Sequence, residues 1–131
     1  MSFDASNTPF ESIGGEAPVR ALVDAFYDTM DREPGYTHLR DLHEPDLTEA
    51  RDKLFWFLCG WLGGPNHFVE RFGHPRLRAR HAHVRIGTQG RDEWLACMAD
   101  AMNACGIEGP LRQFLDARFA HVADFMRNVE A

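Results

Sequence analysis

The stretch Gly73-His74-Pro75-Arg76-Leu77-Arg78-Ala79-Arg80-His81-Ala82-His83-Val84-Arg85-Ile86 holds three of the chain's seven histidines and four of its fourteen basic residues. It does so in a chain whose formal net charge is −6. Such a local reversal of charge indicates a site for an anionic group. Because neutral imidazole offers a lone pair and guanidinium presents a rigid fork of donors, this mixture can ligate a metal while it pairs with carboxylates or phosphates.

Haem is one ligand that needs both kinds of group, since its iron takes an axial histidine and its two propionates attract cations. The residues alone leave two alternatives open. The first is a non-haem metal enzyme in which His81 and His83, with His74 or a carboxylate, ligate the ion from a β-scaffold. The second is a helical interaction module that binds an acidic partner through a basic patch. That patch would comprise Arg76, Arg78, Arg80 and Arg85.

Length and composition predict one domain over residues 1–131 that needs no disulfide. The three cysteines, Cys59, Cys97 and Cys105, lie in apolar helical patterns, so we expect buried thiols in a reducing compartment. The start of the chain lacks the pattern of a signal peptide, and no segment reaches membrane-spanning length, which together predict a cytoplasmic protein without a membrane partner. The acidic balance argues against nucleic acid as a partner.

Apolar residues at helical spacing predict an all-α fold with four main helices around one core. These helices are expected to begin near Glu16, Asp46, Asp92 and Pro110. They are expected to end near Pro34-Gly35, Gly63-Gly64-Pro65, Cys105 and Asn128. The expected buried face of the third is Trp94, Cys97, Met98, Ala101 and Cys105, and that of the fourth is Leu111, Phe114, Leu115, Val122, Phe125 and Met126.

Weaker patterns predict short elements between these helices. Residues 1–13 form a poorly patterned extension, with a short helix from Pro9 that Gly14-Gly15 ends. One or two helical turns are expected over residues 36–42, before a corner at His43-Glu44-Pro45. A loop with one turn of helix is expected over residues 66–76, and a short helix from about Leu77.

With these glycine pairs and this helix order, the chain resembles the truncated haemoglobins of the second group, which are bacterial-like globins. The resemblance covers the chain from about Ile13 to Asn128. Its most specific part is the run from Gly73 to His81. The other matching pieces are Gly14-Gly15, Phe26-Tyr27, Phe57-Leu58, Trp61-Leu62-Gly63-Gly64-Pro65 and Asp92-Glu93-Trp94-Leu95-Ala96-Cys97-Met98. The resemblance implies a two-over-two helical sandwich with haem b between the helices.

The resemblance also implies roles for individual residues. His81 corresponds to the proximal iron ligand, and the distal, ligand-stabilising side chains correspond to Tyr27, His43 and Trp94. The expected haem contacts are Lys53, Leu54, Phe57, Leu58, Phe68, Arg80 and Trp94, with Lys53 and Arg80 meeting the propionates. One departure from the family pattern follows the ligand, where Ala82-His83-Val84 replaces the usual apolar residue, proline and aromatic residue.

A polar distal pocket implies binding of dioxygen, carbon monoxide and nitric oxide, because bound dioxygen carries partial negative charge that hydrogen-bond donors stabilise. Two or three such donors, at about 1 kcal/mol each, slow dioxygen release by roughly ten- to a hundred-fold or more. Slow release suits sensing, peroxidase-like turnover of peroxide or nitric oxide detoxification better than transport. Any catalytic cycle needs an unidentified reductase. The expected assembly is a monomer or homodimer.

Overall fold

The computed structural model describes residues 7–74, 76, 81 and 84–128. Within them the chain forms helices and no β-strand, as predicted. The helices are α1 (Pro9–Ile13), α2 (Glu16–Arg32), α3 (Thr37–Asp41), α4 (Thr48–Trp61), α5 (His67–Phe72), α6 (Thr88–Ala104) and α7 (Gly109–Phe125), with a 3₁₀ turn at Pro34–Tyr36. The short helix predicted from Leu77 lies outside the described residues. No described helix is long and apolar enough to cross a membrane.

Helix α2 is the centre of the packing. It contacts α6 most extensively and also packs against α4, while α6 packs against α7. Its apolar residues recur every three or four positions, so they share one face that turns to the core. That face comprises Val19, Leu22, Val23, Phe26, Tyr27, Thr29 and Met30, all of them buried. Full burial of each large apolar side chain contributes roughly 1.5–3 kcal/mol, which makes this face the main source of packing energy on α2.

Two glycines at the end of α4 let the N-terminal segment lie against that helix. A Cβ on Gly63, whose φ is +98°, would come within 2.9 Å of the Thr8 side chain, and a Cβ on Gly64 would come within 2.6 Å of the Phe10 ring. The Phe10 N–H donates to the Leu62 carbonyl at 2.9 Å. The Gly-Gly pair therefore ends α4 and also admits α1, whose Phe10 packs against the core.

Several helix limits differ from the sequence prediction. Helix α4 begins at Thr48 because the Asp46 carboxylate accepts the Thr48 N–H at 2.9 Å, so Asp46 lies before the helix rather than at its start. Helix α6 begins at Thr88 rather than Asp92, with a bond of 2.9 Å from the Gln89 side-chain amide to the Glu93 carboxylate along its first turn. Around Phe68, the predicted single turn is a helix of six residues.

Two residues that were predicted to be buried are exposed. Phe125 is 55% exposed, because it lies about 200° around α7 from the buried Ala123. Cys105 directly follows the last turn of α6 and is exposed. Cys59 and Cys97 are buried as predicted, and burial raises the pKa of the Cys59 thiol to about 11 and that of the Cys97 thiol to about 12.

Truncation of Leu115 and of Phe125, both on α7, tests this assignment of faces. Leu115 is 1% exposed, so Leu115→Ala is expected to lower the free energy of unfolding by about 2–5 kcal/mol. Phe125→Ala removes more carbon but is expected to lower that free energy by only about 1 kcal/mol, because Phe125 is 55% exposed. Urea denaturation followed by circular dichroism measures both. Equal losses in the two variants would contradict the orientation of α7.

Candidate functional site

A cavity of about 170 Å³ lies among α3, α4, α6, α7 and the segment 84–86. Among the described residues, most of its wall is apolar or aromatic, and the polar side chains are His43, His81 and Arg91. The apolar part of the wall comprises Leu39, Leu42, Leu54, Phe57, Val84, Ile86, Trp94, Val122, Ala123 and Met126. The chemistry of this wall matches that of haem, whose porphyrin ring is apolar and whose iron takes an imidazole nitrogen.

His81 is tied to the end of α7 through Asn128. The Asn128 side-chain amide donates to the Val84 carbonyl at 2.7 Å and to the His81 carbonyl at 3.4 Å. The Ile86 N–H donates to the Asn128 side-chain oxygen at 2.8 Å, and the Asn128 N–H donates to the Ile86 carbonyl at 2.9 Å. Asn128 was predicted to continue the last helix. Instead it holds the segment that carries His81, a role that no local sequence signal reveals.

His43 lies at the corner after α3 and is held by its own backbone. Its Nδ1 lies 2.9 Å from the Leu39 carbonyl oxygen, which only accepts, so Nδ1 carries the proton in the neutral ring and Nε2 keeps the lone pair. Burial lowers the pKa of His43, the Leu39 bond opposes this, and the charges of Arg40 and His81 lower the pKa further. His43 is therefore a neutral imidazole at pH 7.

Tyr27 is 5% exposed and lies in the core next to His43, and it is not among the residues that line the cavity. The two rings meet edge to face with centroids 5.8 Å apart. Burial raises the pKa of the Tyr27 hydroxyl, and the nearby Arg51 charge only partly offsets this, so the hydroxyl keeps its proton and can donate. The Arg51 guanidinium lies 5.8 Å from the Tyr27 ring centroid and pairs with Asp28 at 2.6 Å.

Trp94 reaches the cavity from α6 and is fixed by aromatic neighbours. Its ring centroid lies 5.3 Å from that of Phe26 and 5.5 Å from that of Phe119. Phe119 in turn stacks on Trp61 at 5.1 Å. This cluster joins all four main helices, so the indole ring is held rigidly beside the cavity.

The structure brings some of the expected haem contacts to the cavity and places others elsewhere. Leu54 and Phe57 line it. Leu58 is 1% exposed in the core, and Phe68 packs on Phe57 and Phe72 outside the cavity wall. Lys53 is exposed, pairs with Glu49 at 2.8 Å and lies over the Phe72 ring. Arg80 and His83 lie outside the described residues.

Sequence reasoning missed Arg91, the cation that lines the cavity within the described residues. Its guanidinium pairs with Asp124 at 2.8 Å and with Asp92 at 3.0 Å. The predicted start of this helix at Asp92 left Arg91 in a loop, and no motif surrounds it. The spacing of Val122 and Met126 on α7 did predict buried residues, but spacing alone does not distinguish a cavity wall from a core.

Comparison with known proteins identifies close relatives. The family model of the bacterial-like globins matches residues 8–128. A group 2 truncated hemoglobin of Bacillus subtilis (strain 168) is 43% identical over 122 residues, which cover 93% of this chain and 89% of that protein.

Solved structures agree with this relation. A cold-adapted truncated hemoglobin of Pseudoalteromonas haloplanktis TAC125 is 39% identical, with a TM-score of 0.90 over 94% of this chain and 99% of that one. A truncated oxygen-avid haemoglobin of Bacillus subtilis is 43% identical, with a TM-score of 0.86 over 93% and 100%. These matches confirm the resemblance and the two-over-two helical fold.

The lowered pKa of His43 predicts a dependence of stability on pH. Below the unfolded-state value of about 6.5 the unfolded chain binds the proton that folded His43 resists, so the free energy of unfolding falls as the pH falls. His43→Gln is expected to show a smaller decrease in the free energy of unfolding as the pH falls. His121→Gln, at an exposed position, is expected to show the same decrease as the wild type. Urea denaturation of the three proteins between about pH 7 and pH 5 measures the difference. A His43→Gln curve parallel to the wild type would contradict the prediction.

Proposed function

Since the chain belongs to the bacterial-like globin family of haem-based ligand-binding proteins, we propose that it holds haem b in the cavity lined by His81 and binds dioxygen there. When bound, the haem iron supplies the coordination of small diatomic ligands. The observation that carries the proposal is that His81, His43 and Trp94 line one cavity with an otherwise largely apolar wall.

The side chains at and near this cavity have different proposed roles. His81 would ligate the haem iron through its imidazole, and Asn128 holds the backbone that carries His81. Leu54 and Phe57 from α4 would offer the porphyrin ring apolar surface and exclude water from it. For the propionates we propose Arg91 in addition to the expected Lys53 and Arg80, because Arg91 lines the cavity and a guanidinium pairs well with carboxylates.

We propose that Tyr27 and Trp94 are the hydrogen-bond donors to bound dioxygen. The Tyr27 hydroxyl keeps its proton, and the indole N–H only donates. The tautomer of His43 revises the expectation that all three residues donate, since its Nδ1–H is used on the Leu39 carbonyl and neutral Nε2 accepts. His43 then acts by holding the Tyr27 ring. Slow dioxygen release is supported by the oxygen-avid relative of Bacillus subtilis.

The lone pair on His43 Nε2 allows a second role for this residue. A neutral imidazole can accept the proton of hydrogen peroxide and return it later, which is the general acid and base role that peroxidase-like turnover needs. Nitric oxide detoxification is a further proposal for this cavity. Both need electrons from a reductase. Carbon monoxide and nitric oxide are expected to bind at the same position as dioxygen, in a cytoplasmic monomer or homodimer.

The two alternatives from other classes have less support. A histidine-ligated non-haem site was expected on a β-scaffold, and residues 7–74 and 84–128 form no strand. The His74 Nδ1 accepts the Arg76 N–H at 3.2 Å, which turns this nitrogen toward its own loop. An interaction module built on the basic patch leaves the cavity and its histidines without a role.

Replacement of His81 tests the axial ligand. We expect His81→Gly to weaken the intense visible band of the haem-loaded protein and added imidazole to restore it, because free imidazole can enter the space left by the side chain. The exposed His121→Gly on α7 is the matched control and is expected to keep the wild-type spectrum. A wild type that binds no haem would overturn the proposed function, and an unchanged His81→Gly spectrum would overturn the assignment of the ligand.

Replacement of the tyrosine hydroxyl tests the distal role. Tyr27→Phe removes one donor worth about 1 kcal/mol, so the dioxygen dissociation rate constant is expected to rise roughly fivefold or more. Tyr36→Phe is the matched control, since the hydroxyl of this other tyrosine donates to the Asp100 carboxylate at an exposed position. Stopped-flow spectroscopy measures both rates. An unchanged rate in Tyr27→Phe would show that its hydroxyl does not contact the ligand.

A further inference from the structure

Three potential metal ligands from three helices converge on the side of α4 that faces away from the cavity. They are Glu16, the first residue of α2, Cys59 on α4 and His67, the first residue of α5. Their ligand atoms all lie within 4.8 Å of one another. None of the three is among the residues that line the cavity. On α4, Cys59 lies about 200° around the helix from Phe57, which does line it.

We propose that Glu16, Cys59 and His67 form a second metal site, which takes a divalent, borderline-soft ion of the Zn²⁺ class. Zinc prefers thiolate, imidazole and carboxylate donors in tetrahedral geometry, and this set supplies one of each. The fourth position is left to water. The site needs no haem, so its failure and the failure of the proposed function are separate results.

The distances suit this ion. In a tetrahedral zinc site, the nitrogen and oxygen ligands lie about 3.4 Å apart, given bond lengths of about 2.0–2.2 Å. The His67 Nε2 and the Glu16 Oε1 are 3.3 Å apart. A sulfur ligand lies about 3.6 Å from its neighbours in such a site, so the 4.8 Å limit leaves a closure of no more than about 1.2 Å.

The surroundings hold the ligands in place. The His67 ring stacks on Phe55 with centroids 6.4 Å apart and an interplanar angle of 24°. The Arg20 guanidinium lies 5.7 Å from the centroid of the same Phe55 ring. Cys59 is 0% exposed, whereas the Glu16 and His67 side chains are 50% and 25% exposed. The ion can therefore enter past the exposed carboxylate and reach the buried thiol.

Binding forms three bonds from the ion to the sulfur, nitrogen and oxygen ligands and displaces water from its hydration shell. The thiol of Cys59 loses its proton to solvent, since only the thiolate ligates, and no electron transfer occurs. The bound ion joins α2, α4 and α5. Because α5 leads directly into the Gly73–Ile86 stretch, the site fixes the start of the segment that carries His81.

Equilibrium dialysis of the haem-loaded protein against ZnCl₂, followed by elemental analysis, tests the site. We expect one zinc per chain in the wild type and in the controls Cys105→Ser, which removes the exposed thiol, and His121→Gln. Cys59→Ser and His67→Gln are expected to weaken binding by more than the roughly 10- to 100-fold typical of lost outer-shell partners. Glu16→Gln, at an exposed carboxylate that should tolerate change, is expected to weaken binding without loss of fold.

Zinc K-edge X-ray absorption of the wild type is expected to show one sulfur ligand at about 2.3 Å. Absence of zinc from the wild type would overturn the proposal. So would a bound zinc without sulfur, or binding that persists in folded Cys59→Ser and His67→Gln proteins. If both of these variants fail to fold, zinc binding by Glu16→Gln and the X-ray absorption spectrum of the wild type test the proposal. Unweakened binding by Glu16→Gln or a spectrum without sulfur would then overturn it.

Discussion

The burial of one face of α2 against α4 and α6 is the constraint on which the rest of the structure depends. The same face that supplies apolar packing energy also holds Tyr27 against His43, and His43 lines the cavity. Phe26 contacts both Tyr27 and Trp94, and its carbonyl accepts a bond from the Cys97 thiol at 3.2 Å. The polar groups proposed to meet a bound ligand are thus fixed by the core itself, since close-packed side chains do not move independently.

The cavity has a largely apolar wall, and burial determines the protonation states of the polar groups in this wall and next to it. Burial keeps His43 neutral and keeps the proton on Tyr27, so one ring presents a lone pair and the other a donor. The side that carries His81 is held differently, by the four hydrogen bonds that join Asn128 to His81, Val84 and Ile86. One side of the cavity is therefore formed by the close-packed core, and the side that carries His81 is held by the side chain and backbone of Asn128.

Helix α4 contributes to the cavity and to the proposed metal site through opposite faces. Leu54 and Phe57 form part of the cavity wall, while Cys59 meets Glu16 and His67 at the start of α2 and α5. The helix ends at the glycine pair that admits α1. A metal at the proposed second site would therefore act on the cavity through α4, because close-packed interiors transmit strain.

The sequence by itself determined the all-α class, the four main helices, the buried face of α2 and the family, because apolar spacing and local motifs are written along the chain. It also identified His43, Leu54, Phe57, His81 and Trp94, which the tertiary structure brings to one cavity. Only the tertiary structure decided the exposure of Phe125 and Cys105, the bonds of Asn128, the place of Arg91 and the meeting of Glu16, Cys59 and His67. Each of these depends on how separate helices pack against one another, and sequence separations of up to 51 residues between Glu16 and His67 leave no local periodicity to read.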